Sequence, residues 1–212
     1  MSCSTDREAW ERVWRGLGLV APEDEYDKLI AAYAETHRAY HTRRHLEECL
    51  TLLDQVRLLC KHPDEVALAL WYHDAIYKPR RSDNETRSAD WLTRTVQQSG
   101  ADAAAIGRMR GLVLATRHDE APDGVDEQVL VDIDLSILGS EPSVFDEYER
   151  QVSAEYRWVP GPIYRPARAK IMRSFFDRPR IYSTDCFFER FENRARANIV
   201  RSLTSGIAFV AH

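Results

Sequence analysis

Between Val66 and Tyr72 no polar residue interrupts the chain, and the two residues that follow are His73 and Asp74. A helix with no polar side persists in water only when other elements cover it all round, so this run predicts the central helix of a packed helical core. It is the longest apolar run in the sequence, far too short to cross a bilayer, and Pro79 stops it soon afterwards. Asp74 at its end is costly, because an ionised carboxylate taken out of water needs a cation, a donor network or a water-filled cleft. One divalent metal would satisfy His73 and Asp74 together. Successive helical residues point roughly 100° apart, so both reach one ion only over the boundary between their faces, and further ligands must come from other helices.

Helical periodicity supplies those neighbours. Trp10, Val13, Trp14 and Leu17 make one apolar stripe, and Tyr26, Leu29, Ile30 and Tyr33 a second. Leu46, Cys49, Leu50, Leu53, Val56 and Cys60 make a third, so His45 opens a helix with a buried face. Ser82 and Glu85 stand three apart, the spacing of a capping box, before a helix reaching about Gly100. Ile106, Met109, Val113 and Thr116 lead on towards His118. After the turn-forming APDGVD, the segment VLVDIDLSIL alternates from Val131 to Ile137 and reads equally well as strand or helix. Three further stripes follow, Phe145/Tyr148/Val152, Tyr164/Ala167/Ile171/Phe175 and Phe188/Phe191/Ala195/Ile199. No repeat and no long linker interrupts the 212 residues, so the expectation is one domain over 1–212.

An apolar fraction of 44% and a charged fraction of 30% suit a globular core and exclude a disordered or collagen-like chain. The start MSCSTDREAWERVW has no apolar stretch of signal-peptide length, which predicts a cytoplasmic protein. Cys3, Cys49, Cys60 and Cys186 form no CxxC pair and no regular framework, so they read as reduced thiols. Residues 150–201 hold 12 Lys+Arg against 5 Asp+Glu, whereas residues 1–149 hold 17 against 29. That asymmetry suits phosphate binding or a solvated basic face. No aromatic RNA-binding signature or zinc-finger spacing accompanies it, and no nucleic-acid polymer or membrane partner is expected.

Five of the seven histidines lie between positions 37 and 73. His45 is the natural third ligand, on the inward face of its helix. If VLVDIDLSIL is helical, Asp134 has Leu130, Val131, Ile137 and Leu138 at its helical neighbours, whereas Asp132 has Gln128 and Ser136. Asp134 is then the buried carboxylate and the expected fourth ligand.

His45, His73-Asp74 and Asp134 together resemble the H…HD…D signature of the HD superfamily of metal-dependent phosphohydrolases. The segments YHTRRH, ALALWYHDAIY, DNETRSA, LATRH and VDIDLSILG follow one another as in a bacterial subgroup of that family, closely over about residues 40–140 and more loosely in EYRWV, YRPAR and the last helix. The resemblance implies an all-α domain of about ten helices, with a metal-binding core at about 40–140 and a basic helical extension at about 141–204. It implies one ion, Mn, Mg, Fe, Co, Ni or Zn, held by His45, His73, Asp74 and Asp134. It also implies hydrolysis of a phosphate ester of a small metabolite or nucleotide by a metal-activated water. Two alternatives are a di-iron oxygenase and a catalytically retired HD module that binds a ligand or partner.

Other residues have both a chemical and a plain reading. Asp74 and Glu85 are the candidate catalytic carboxylates, though a capping box accounts for Glu85 through backbone bonds alone. His118 either touches substrate phosphate or a second ion, or interacts with a helix dipole. Lys78 and Arg168 are the cations expected to bind substrate, chosen over Arg80, Arg81 and Arg165. HTRRH has the His spacing of a zinc-protease helix but lacks its Glu, so His41, like His37, is expected beside the site or on the surface.

Overall fold

The apolar run becomes α4 (Pro63–Tyr72), on which four other helices pack: α1 (Arg7–Gly16), α3 (Arg43–Val56), α5 (Asn84–Gln98) and α6 (Ala103–Ala115). Val66 to Tyr72 are all buried, as a helix apolar on every side requires. Pro63 occupies the first turn of α4 and Asp64 and Glu65 follow it, the arrangement that suits the positive end of a helix dipole. The computed structural model describes residues 4–204, and among these every regular element is helical, with no strand. VLVDIDLSIL is therefore helix: α7 (Val125–Asp134) passes into a 3₁₀ turn at Leu135–Gly139.

By internal contacts the chain forms two compact units, and the division falls inside α7, after Ile133. The first unit also contains α2 (Glu25–Tyr33), whose Glu25 receives hydrogen bonds from Tyr72 Oη (2.7 Å), Trp91 Nε1 (2.6 Å) and Thr95 Oγ1 (2.8 Å). That buried carboxylate ties α2 to α4 and α5. Side chains start two of the helices: Asp6 accepts from Ala9 N at 2.8 Å, and Asp102 accepts from Ala104 N and Ala105 N. The expected capping box is absent. α5 begins at Asn84 with Asp83 as its cap residue and no side-chain cap bond.

The second unit holds the 3₁₀ turn, α8 (Pro142–Glu155), α9 (Gly161–Phe176) and α10 (Asp185–Thr204). Gly139 is required where that turn meets α10, because a Cβ there would lie 2.6 Å from Phe191 Cβ and 2.8 Å from its carbonyl oxygen. Asn198 Nδ2 donates at 2.9 Å to both Leu138 O and Ser140 O and closes the same contact. On α9 the expected stripe is displaced: Met172 and Phe175 are buried, while Ala167 and Ile171 are exposed. Pairing by spacing alone chose the wrong face. Cys49, Cys60 and Cys186 are in no disulfide; Cys3 and the segment SGIAFVAH lie outside the described residues. No helix among the described residues is long and apolar enough to cross a membrane.

Candidate metal centre

α4 ends at Tyr72, so His73 and Asp74 occupy the turn beyond it, where carbonyls have no helical partners of their own. Neighbouring groups meet those carbonyls one by one. Tyr33 Oη donates to Trp71 O (3.2 Å), Ala75 N to Tyr72 O (2.9 Å), and His73 Nδ1 to Leu70 O (2.7 Å). Arg38, its side chain fully buried, donates to Asp74 O (2.7 Å), Ala75 O (3.0 Å) and His41 O (3.0 Å), and its guanidinium lies against the Tyr33 and Tyr77 rings. One guanidinium thus pins both the turn after α4 and the loop before α3. A planar, five-donor group does this and an ammonium cannot.

The bond to Leu70 O decides the chemistry of His73. A carbonyl only accepts, so Nδ1 carries a proton, and in the neutral ring the lone pair is at Nε2. That Nε2 lies 3.1 Å from Asp74 Oδ2 and 3.2 Å from His45 Nε2, and His45 Nε2 lies 3.7 Å from Asp74 Oδ2. A lone pair and a carboxylate oxygen at that separation repel unless a proton or a metal ion stands between them. Donors about 2.1 Å from a shared ion stand roughly 3.0 Å apart at right angles and roughly 3.4 Å apart at tetrahedral angles, so the triangle has the dimensions of a metal site. Burial opposes ionisation of Asp74, yet His73, His41 and His45, when they carry a proton, outweigh it and hold the carboxyl well below its ordinary value.

Asp134, the last residue of α7, joins His45, Cys49 and His73 in a group whose donor atoms all lie within 4.8 Å of one another and could hold a metal ion. The expected burial is reversed, however: Asp132 is fully buried and Asp134 is half-buried. The expectation assumed that α-helical geometry continues through Ile137 and Leu138, but it ends at Asp134, and the tighter 3₁₀ turn rotates the following side chains away. Asp134 is near the histidines because it stands at a helix end, which also leaves it partly open.

Cys49 is the member of the group that the sequence did not nominate. Its Sγ lies 3.7 Å from Nε2 and 3.8 Å from Nδ1 of His45, one helical turn along α3. The signal was the His-x-x-x-Cys spacing, read only as marking an inward face. Arg38 was also missed, because nothing in its local sequence shows which carbonyls it reaches.

The remaining candidates fall into two sets. Glu85 is raised above its ordinary value, first by burial and also by the charge of Asp74, while Arg117 and His118 pull it back. Glu85 is thus coupled by charge to Asp74, and Arg117 and His118 act on the same carboxylate. His118 has φ 58°, a left-handed conformation that a non-glycine residue adopts at some cost, just past the end of α6. His41 precedes α3, so the helical His41/His45 pair does not form; its ring stacks on Tyr77, with centroids 4.0 Å apart, and its charge reaches Asp74. His37 Nε2 donates to Tyr77 O at 2.7 Å. Lys78 pairs with Glu35, and its backbone exchanges two bonds with Asn84. In the second unit, Arg168 is matched by Glu149 Oε1 and Tyr148 Oη, each 2.6 Å from its Nη2. The cations expected to receive substrate are therefore both engaged with protein groups.

Compared with known proteins, the chain matches no family model, no curated protein and no solved structure. What fold and site define is an all-helical protein with a His/Cys/His/Asp group able to hold a metal ion.

Proposed function

We propose that this chain is a metal-dependent phosphohydrolase of the HD type, acting on a phosphate ester of a small metabolite or nucleotide. The observation that carries the reading is His73 Nε2 lying 3.1 Å from Asp74 Oδ2 and 3.2 Å from His45 Nε2, with Nδ1 already bonded to Leu70 O, an arrangement that a cation stabilises. His45, His73, Asp74 and Asp134 would hold the ion, Mn, Mg, Fe, Co, Ni or Zn by donor type. Such an ion supplies Lewis acidity towards a phosphoryl oxygen and an attacking water.

The chain's own residues do the rest. Leu70 O fixes the tautomer of His73, and Arg38 fixes the backbone that carries Asp74. Glu85, with a raised affinity for protons and coupled by charge to Asp74, would accept a proton from water. His118 and Arg117, near Glu85, add positive charge where a phosphate would arrive.

The test is metal-dependent phosphate release. Chelated protein reloaded with each ion should turn over members of a phosphomonoester and nucleotide panel, and Glu85→Gln should bind metal normally while losing roughly 10²–10⁴-fold in rate. A fully metal-loaded protein inert across the panel would end the hydrolase reading.

A further inference from the structure

Between Tyr156 and Phe176 the chain carries five cations, Arg157, Arg165, Arg168, Lys170 and Arg173, and no acidic residue. Most of that stretch is α9, in the second unit. Arg168 is matched by Glu149. Among the described residues, the side chains of Arg157, Arg165, Lys170 and Arg173 meet no carboxylate and no hydrogen-bond acceptor. On α10, by contrast, Arg194, Arg196 and Arg201 each pair with a carboxylate. The basic C-terminal quarter therefore spends its charge internally on one helix and leaves it unspent on the other.

The same helix turns hydrocarbon outward. α9 packs on α10 and buries Met172 and Phe175, while Ile163 is 63% exposed, Ile171 47% and Trp158, just before the helix, 46%. Helical spacing sets Ile163, Ala167 and Ile171 in one exposed row and Pro166, Lys170 and Arg173 in the row beside it. Among the exposed side chains of α9 only Ser174 carries an oxygen, and its hydroxyl already donates to Ile171 O at 2.8 Å. A protein partner held by paired hydrogen bonds needs acceptors as well as donors on such a face. A nucleic-acid backbone would use the cations and leave the isoleucines in water. Unpartnered cations beside exposed isoleucines, with a Trp at the edge, match a layer of anionic headgroups over acyl chains.

We propose that the outward face of α9 lies on a membrane surface containing anionic phospholipid, with Trp158, Ile163 and Ile171 at the boundary of headgroups and acyl chains and Lys170 and Arg173 on lipid phosphates. Long basic stems cover neighbouring hydrocarbon while their charged ends reach the headgroups. The expectation of no membrane partner rested on the lack of a span, and a surface helix needs none. No member of the metal-binding group lies in α9, so the inference stands whether or not that group hydrolyses phosphate esters.

The test is co-sedimentation of the full chain with vesicles of phosphatidylcholine alone and of about three parts phosphatidylcholine to one of phosphatidylserine, followed also by tryptophan fluorescence. Each cation near an anionic surface contributes about fivefold, so Lys170 and Arg173 together predict at least about 25-fold tighter binding to the anionic vesicles, falling as salt is added. Lys170→Glu with Arg173→Glu should abolish that binding, and Ile163→Ser with Ile171→Ser should weaken it about tenfold or more. Trp158→Phe should remove most of the fluorescence change. All five positions are exposed, so the variants should unfold at the parent's urea concentration. No sedimentation with anionic vesicles, equal binding to neutral ones, or vesicle binding that survives either double substitution would overturn the proposal, as would a fluorescence change that persists in Trp158→Phe. Tighter binding of soluble polyglutamate or duplex DNA than of the vesicles would overturn it too, and would assign the face to an acidic protein or a nucleic acid.

Discussion

Two carboxylates stand beside the last turn of α4, and the protein treats them in opposite ways. Glu25 meets three fixed donors, the Tyr72 and Thr95 hydroxyls and the Trp91 indole, so its charge is matched within the fold. Asp74, two residues beyond Tyr72, faces imidazoles instead, the nearest at 3.1 Å, whose protons are gained and lost. A buried acid surrounded by permanent donors is a structural joint. One surrounded by histidines is complete only when a proton or metal ion is added. The same helix end thus carries a group that holds the fold and a group that the fold leaves open to a cation.

The largest expected separation between them comes from Asp74→Ala. Metal affinity should fall more than about 100-fold, beyond what loss of an outer-shell partner costs, and activity should fall to background. The metal-free variant should unfold at no lower urea concentration than the parent. Metal content by elemental analysis, set beside urea unfolding, checks both, and a variant that keeps its ion would remove Asp74 from the centre. Glu25→Ala should do the reverse: stability falls by about 3–5 kcal/mol, because three buried donors lose their acceptor, while the folded fraction binds metal as before.

Arg38→Met sharpens the comparison by acting on both counts. Loss of its bonds to Asp74 O, Ala75 O and His41 O should lower stability by about 2–3 kcal/mol and metal affinity by about tenfold. Arg38→Lys should recover only part of either, since an ammonium cannot span three carbonyls. A normal metal affinity in Arg38→Met would show that the turn after α4 holds its shape unaided.

The smallest effect is a pH-dependent one at Glu85. Its folded pKa is raised, so the folded state binds the extra proton, and stability is lost as pH rises from the ordinary glutamate value of 4.5 through the folded value. Glu85→Gln removes that penalty. The metal-free variant should be slightly more stable than the parent at pH 7, with the difference vanishing below about pH 4. Urea unfolding at both pH values measures it, and a gain that grew on acidification would carry the wrong sign.

Much of this molecule is legible without coordinates, because helical periodicity reports which face of each segment is apolar. The central helix follows from its apolar run, although it ends at Tyr72 rather than carrying His73 and Asp74 on towards Pro79, and His45, His73 and Asp134, nominated from sequence, fall in one group. Spacing fails where helical geometry changes. Asp134 and Asp132 exchange their expected burial because α7 tightens into a 3₁₀ turn at Leu135, and the face of α9 is displaced by a stripe that chose Ala167 and Ile171 over Met172. The Ser82/Glu85 pair looks like a cap in sequence, but α5 starts at Asn84, so Asp83 and not Ser82 occupies the cap position.

By itself the sequence determined a largely helical chain built round one wholly apolar helix, with ionisable side chains at that helix's end, because burial and periodicity are properties of local residue order. Only the tertiary structure decided that Arg38 clamps three carbonyls, that Leu70 O sets the tautomer of His73, that Cys49 stands against His45, and that α9 turns Ile163 and Ile171 outward. Those depend on which faces meet and at what distance, and a periodic pattern names a face without naming its partner.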